Sequence, residues 1–279
     1  MNNQKPVIVI PLDGSKIAAV ALEAAKAVTK IIGGILHIVH AGDARVPDDK
    51  IAEHLKITDI DASAFTIKQI VGDPIKSIVG YAYEVDAKMI VMASHGETHN
   101  QSHLIGSITM GVIQEAESPV LIIRSDMEEL PDYNWKPAKM LCPLDGSPMA
   151  VAQMQQILSL ADTLGVDVDI LNVAVHGQRA TETGTLTTYE YEDYPQYDMP
   201  AWADEFVRRC CEVQPPGVEI SMFQRAGEPV ATMIDFSSES NNDLIALTWR
   251  GKLEGDRAQT VKGLLKETKV PVLLTKASL

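Results

Sequence analysis

At 279 residues with 46% hydrophobic side chains, the chain is long enough for two buried cores of about 140 residues each. Thirty-eight acidic against twenty-four basic side chains give a formal net charge of −14, which repels phosphate backbones at long range and disfavours non-specific nucleic-acid binding. The longest apolar runs, such as Ile31 to Val39 and Met89 to Ala93, fall short of the roughly 18 residues a membrane helix needs.

Along the chain, Met1 to Pro6 leads into Val7 to Ile10 without a long apolar h-region or a small-residue cleavage site, so a cytoplasmic location is expected. Short apolar, β-rich runs then alternate with helical patterns. Strands are predicted at Val7 to Leu12, Ile35 to His40, Phe65 to Val71, Met89 to Ala93 and Val120 to Ile123. Between the first two, Ile17, Val20, Ala21, Ala24, Ala25 and Val28 share one helical face; after Pro74, Ile75, Ile78 and Val79 open another helix. This alternation predicts right-handed crossovers and an α/β fold with a doubly wound five-stranded parallel sheet, with ligands beyond the strand C-termini at the switch point. Ser125 to Pro137 is acidic, holds Pro131 and Pro137, and reads as a linker.

The pattern then repeats. Pro11-Leu12-Asp13-Gly14-Ser15 recurs as Pro143-Leu144-Asp145-Gly146-Ser147 at an offset of 132. Val71-Gly72-Asp73-Pro74 recurs as Ala226-Gly227-Glu228-Pro229, and His95-Gly96 as Arg250-Gly251, both at 155. Ser118-Pro119-Val120-Leu121-Ile122 recurs as Val270-Pro271-Val272-Leu273-Leu274 at 152. Two tandem domains follow, residues 1–126 and 138–279 around a linker at 127–137, with an insertion in the second at about 175–202. That insertion carries Tyr189, Tyr191, Tyr194 and Tyr197 among acidic residues and is expected to be a surface loop. Cys142 and the adjacent pair Cys210 and Cys211 make neither a disulfide framework nor a metal spacing, so reduced, packed thiols are expected.

In the first copy two loops would face one crevice: Asp13 after the first strand, and Met92-Ala93-Ser94-His95-Gly96 after the fourth. Asp13 can accept from a ribose hydroxyl or an adenine amine. Gly96 permits close approach of a phosphate, and Gly106-Ser107, after a nine-residue interval, places unpaired N–H groups and a hydroxyl at a helix start, which suits an anion. The alternative is that these glycines are ordinary turn and cap residues and that Asp13-Gly14-Ser15 only caps the first helix. In the second copy Leu247-Thr248-Trp249-Arg250-Gly251, with Val261-Lys262 after the same interval, loses two of three glycines, so its phosphate cradle is expected to be gone. Asp145 survives there, and Arg250, Lys252 and Lys262 could offer charge to an anion. His95, His99 and His103 are spaced as on a helix face, but the fold puts them in a loop, so no metal site is expected. The chain shows no P-loop, no nucleophile elbow and no dinucleotide fingerprint, and no catalytic residue is nominated.

These landmarks together resemble the universal stress protein family in its tandem two-domain form. The resemblance rests on Pro11 to Ser15, Leu36-His37-Ile38, Gly72-Asp73-Pro74, Ser94-His95-Gly96 and Ser118 to Ile122, and covers nearly the whole chain. It implies two Rossmann-like domains of the adenine nucleotide alpha hydrolase type, related by a pseudo-twofold axis through their paired fifth strands, Val120 to Ile123 and Val272 to Leu274, and leaves room for a homodimer. In the family's nucleotide-binding branch the loop reads Gly, two residues, Gly, nine residues, then Gly with Ser or Thr; here Ala93 replaces the first glycine. By that resemblance Pro11, Leu12, Asp13 and Ile38 line the adenine and ribose of ATP, ADP or AMP. Met92, Ala93, Gly96, Gly106, Ser107 and Ile108 line the rest of the site, and His95 is the best placed of the three histidines for a nucleotide contact. The implied role is regulatory, in a stress response, with at most slow ATP hydrolysis and no metal beyond Mg accompanying the nucleotide. Two rivals differ in kind: a stress or interaction module that signals through protein partners or another ligand, and a true adenine-nucleotide hydrolase of related fold.

Overall fold

The computed structural model describes residues 5–57, 65–95, 105–127, 129–144, 154–174, 215–249 and 256–276. The chain forms two compact units, one built on Met1–Lys136 with Trp249–Lys276 and the other on Pro137–Thr248.

In the first unit the elements run β1 (Val7–Pro11), α1 (Lys16–Ile31), β2 (Ile35–Gly42), α2 (Ile51–His54), β3 (Phe65–Val71), α3 (Pro74–Glu84), β4 (Ala87–Ala93), α4 (Ser107–Glu115) and β5 (Val120–Ile123). Strand order is β3-β2-β1-β4-β5, all parallel. The chain therefore walks outward from β1 to β3, then returns to β4 on the other side, which is the reversal that defines a doubly wound sheet. Right-handed crossovers place α1 on one face and α3 and α4 on the other; α3 packs against α4, as that requires.

Each element has a local cause. Ser15 caps α1 by accepting from Ala18 N at 2.9 Å, and the helix buries Ala18, Ala21, Leu22, Ala24, Ala25, Ala27 and Val28. Ile17 and Val20, expected on that face, are half-buried at its margin. Asp73 caps α3 by accepting from Lys76 N at 2.9 Å, with Pro74 in the first turn. The central strands Val7–Pro11 and Ala87–Ala93 are apolar almost throughout, because a parallel sheet is covered on both faces. Ile8, Ile10, Ile38, Ile90, Leu121 and Ile122 form the middle of that core.

In the second unit β6 (Lys139–Pro143), α5 (Met154–Leu164), β7 (Asp167–Ala174), β8 (Ile220–Ala226), α6 (Pro229–Glu239) and β9 (Leu244–Trp249) give parallel order β9-β6-β7-β8. Glu228 caps α6 by accepting from Ala231 N at 2.8 Å, with Pro229 in the first turn. The repeated Gly-acid-Pro motif is thus one helix start used twice.

The last two elements, α7 (Asp256–Glu267) and β10 (Val272–Lys276), belong by sequence to the second repeat but pack in the first unit. There β10 lies antiparallel to β5, with Val272 opposite Ile122, Leu273 opposite Leu121 and Leu274 opposite Val120. The two fifth strands pair as the family resemblance implied. Lys276 fastens the far end on Glu117 at 2.6 Å, and Arg124, held bidentately on Asp126, also donates to the carbonyl of Lys266 at the end of α7. Among the described residues no helix is long and apolar enough to cross a membrane.

Candidate functional site

The switch point lies between β1 and β4, and two loops leave its C-terminal edge. The first begins at Leu12, whose N–H donates to Val39 O at 2.9 Å and whose carbonyl accepts from His40 Nδ1 at 2.9 Å. Because a carbonyl can only accept, the His40 ring carries its proton on Nδ1 here. Asp13 follows, half-buried, with Oδ1 accepting from Ser15 N at 2.9 Å. Gly14 then turns with φ +85. So the structural alternative is partly real: Ser15 does cap α1, while Asp13 is left half-exposed at the crevice.

The second loop begins where β4 ends. Met92 and Ala93 are 5% and 6% exposed, and Ala93 pairs with Ile123. The backbone at Ala93 is ordinary strand: the non-glycine residues with positive φ among those described are Lys56, Asp86 and Asn241. Alanine therefore replaces glycine without strain, and its methyl is almost wholly covered by protein. Ser94 is buried and its hydroxyl lies 3.0 Å from His95 Nδ1, which holds the imidazole at the loop. Gly96, His99 and His103 lie outside the described residues.

The loop is tied to α4 on its return. Gly106 N donates to Ser94 O at 2.9 Å, and Thr109 Oγ1 to Ala93 O at 3.0 Å. Gly106 is the N-cap, at φ −60 and ψ 145, and offers no side-chain acceptor to the first turn. The opening amides of Ser107 and Ile108 have no intrahelical carbonyl to donate to, and the helix dipole stands behind them. Ser107 is exposed and Ile108 is 37% exposed beside it. A methyl on Gly106 would lie 3.4 Å from His95 Cα and 3.5 Å from Ser94 O, ordinary contact distances. The fold therefore does not require glycine there.

Around the loop the charge is mixed. A hydrogen bond from Arg124 holds the Asp126 carboxyl below the usual carboxylate range, burial opposes this, and the charges of Arg124 and, last, His95 lower it further. Of the expected site residues, Pro11, Leu12, Asp13, Met92, Ala93, His95, Gly106, Ser107 and Ile108 all come to the C-terminal edge of β1 and β4 or to the start of α4. Ile38 sits one step deeper, fully buried in β2 opposite Ile10.

Two histidines were not foreseen. His40 is buried in β2, two residues before its end, and His54 on α2 stands edge-on to it with ring centroids 5.1 Å apart. A signal for His40 was present. In the second copy Asn172 Nδ2 donates to Leu144 O at 3.0 Å, the same 28-residue separation, so a polar side chain at this strand position recurs at offset 132. In that copy Asp145, Arg250, Gly251 and Lys252 lie outside the described residues, as do Tyr189, Tyr191, Tyr194, Tyr197, Cys210 and Cys211. Cys142 is buried in β6. Val261 and Lys262 lie inside α7, which begins at Asp256, so their amides are spent within the helix and no helix start is offered there.

A model of the universal stress protein family matches residues 47–124 and 137–276, well over half of the chain. The chain belongs to the universal stress protein family. A universal stress protein of Mycobacterium bovis is 24% identical over 206 residues, 74% of this chain and 66% of that relative, so the chain spans just under two thirds of its length. One from Methanocaldococcus jannaschii is 35% identical over 68 residues, 24% of this chain and 42% of the relative. The crystal structure of a universal stress protein from Archaeoglobus fulgidus covers 99% of this chain and 97% of its own, with a TM-score of 0.64 at 17% identity. That likeness, end to end, is one of fold.

Proposed function

We propose that this universal stress protein binds ATP or a related adenine nucleotide in the crevice of its first repeat and acts as a cytoplasmic regulator in a stress response. The observation that carries the reading is the start of α4. It has no side-chain cap, is folded back on Ser94 by the Gly106 amide, and lies one strand away from the Asp13 loop across the switch point. Phosphates lie on the amides of Ser107 and Ile108 with Gly106 and His95 around them. Ribose and base lie toward Asp13, Leu12 and Pro11, with Ile38 as the floor. Any Mg accompanies the phosphates. The strain-free backbone at Ala93 supports a cradle that works with alanine in the first position.

Calorimetric titration with ATP tests this. The wild type is expected to bind saturably below millimolar concentration, and Gly106→Val to lose binding while keeping its thermal transition. Asp13→Ala is expected to bind about tenfold more weakly, one charge-assisted contact. Absence of saturable wild-type binding at millimolar ATP overturns the reading. Phosphate release is expected to be orders of magnitude slower than about 1 s⁻¹; turnover in the ordinary enzyme range would favour a hydrolase instead.

A further inference from the structure

We propose that His54 is the base-side wall of the first crevice, an aromatic platform on which a flat heteroaromatic base stacks; this rests on the nucleotide reading above. The residue comes from α2, a single turn in the β2–β3 connection that is anchored by buried Ile51 and Leu55 and exposes Ala52, Glu53 and His54. That turn presses on the Asp13 loop. A Cβ built on Gly14 would lie 2.7 Å from the His54 carbonyl oxygen, 3.2 Å from its Nε2 and 3.4 Å from its Cε1. Main chain and ring of His54 both lie against the residue that follows Asp13.

The ring also packs on His40. The two imidazoles meet edge to face at 78°, and His40 is itself fixed by its bond to Leu12 O. A buried histidine thus fastens the Asp13 loop and packs edge to face against an exposed one. The placement also decides which part of a nucleotide meets the ring. His54 stands on the β2 side of β1, and the start of α4 on the β4 side, so about two strand spacings, roughly 9–10 Å, separate them. Phosphates on the α4 amides leave the base, at the far end of a nucleotide, on the β2 side, over His54.

The test compares ATP affinity in the wild type, His54→Ala and His54→Phe, with inorganic tripolyphosphate as a competitor. The contact with Gly14 is partly made by main chain, so both variants keep it; equal thermal transitions verify this. Loss of one stacked base predicts about tenfold weaker ATP binding by His54→Ala, recovery in His54→Phe, and the same tripolyphosphate competition constant in all three. Equal ATP affinity in His54→Ala and wild type, or no recovery in His54→Phe, overturns the platform and leaves the nucleotide reading standing. No ATP binding by the wild type overturns both.

Discussion

Gly14 and Gly106, both among the described residues of the first repeat, are glycine for different reasons. Gly14 has φ +85 and the His54 carbonyl 2.7 Å from where a Cβ would be, so both backbone and neighbour exclude a side chain. Gly14→Ala is expected to lower stability by about 1–3 kcal/mol in a denaturant titration; an unchanged midpoint would mean that α2 does not press on the turn. Gly106 has an ordinary backbone and room for a methyl, so Gly106→Ala keeps the fold. A third residue, His40, is explained by its counterpart in the second repeat. Asn172 makes the same bond to the carbonyl of Leu144 that His40 makes to Leu12. His40→Asn is therefore expected to keep most of the stability, while His40→Leu leaves a carbonyl stranded and costs about 1–3 kcal/mol. Equal losses in the two variants would show that ring packing, not the hydrogen bond, is what matters.

At the scale of elements, much of the architecture was legible because parallel strands buried on both faces write themselves as unbroken apolar runs. Phe65–Val71 and Val120–Ile123 have the bounds expected of them. β2 runs past His40 to Gly42, since a histidine that reads as a polar stop is buried by its bond to Leu12. β4 starts before Met89, at Ala87, because pairing with Val7 across a bulge extends it, and pairing leaves no mark on local periodicity. α2 escaped because one turn anchored by Ile51 and Leu55 carries no periodic signal. The proposed site could be read from the sequence where its chemistry sits in a motif, at Asp13 and Gly106, whereas His54, which meets the Asp13 loop through a tertiary contact, carries no local signal. One contact between elements makes a pH prediction. His37 of β2 lies 3.0 Å from the Tyr81 hydroxyl of α3, and burial lowers its pKa below 6.5. The unfolded chain takes a proton near pH 6.5 that the folded one refuses, so this contribution is complete above that pH and declines as pH falls toward the lowered value. His37→Gln is expected to flatten the fall in unfolding free energy between pH 7.5 and pH 5; parallel curves for variant and wild type would contradict it.

Across the whole molecule, the second repeat gives its last helix and strand to the first unit. β10 closes on β5 through Val272, Leu273 and Leu274, and Arg124 and Lys276 secure the junction on Lys266 and Glu117. Leu273→Pro, at a fully buried position, is expected to cost 3 kcal/mol or more, seen as a lowered denaturation midpoint; an unaltered midpoint would show that the pairing contributes little. The two repeats are also asymmetric. α4 begins at Gly106-Ser107, while the matching spacing in the second copy falls inside α7, so one repeat offers a helix start to an anion at that spacing and the other does not. A crystal structure grown with ATP tests this most directly. Density is predicted to run from His54 and Asp13 to the amides of Ser107 and Ile108; an empty first crevice at saturating ATP, or nucleotide bound elsewhere on the chain, would contradict it.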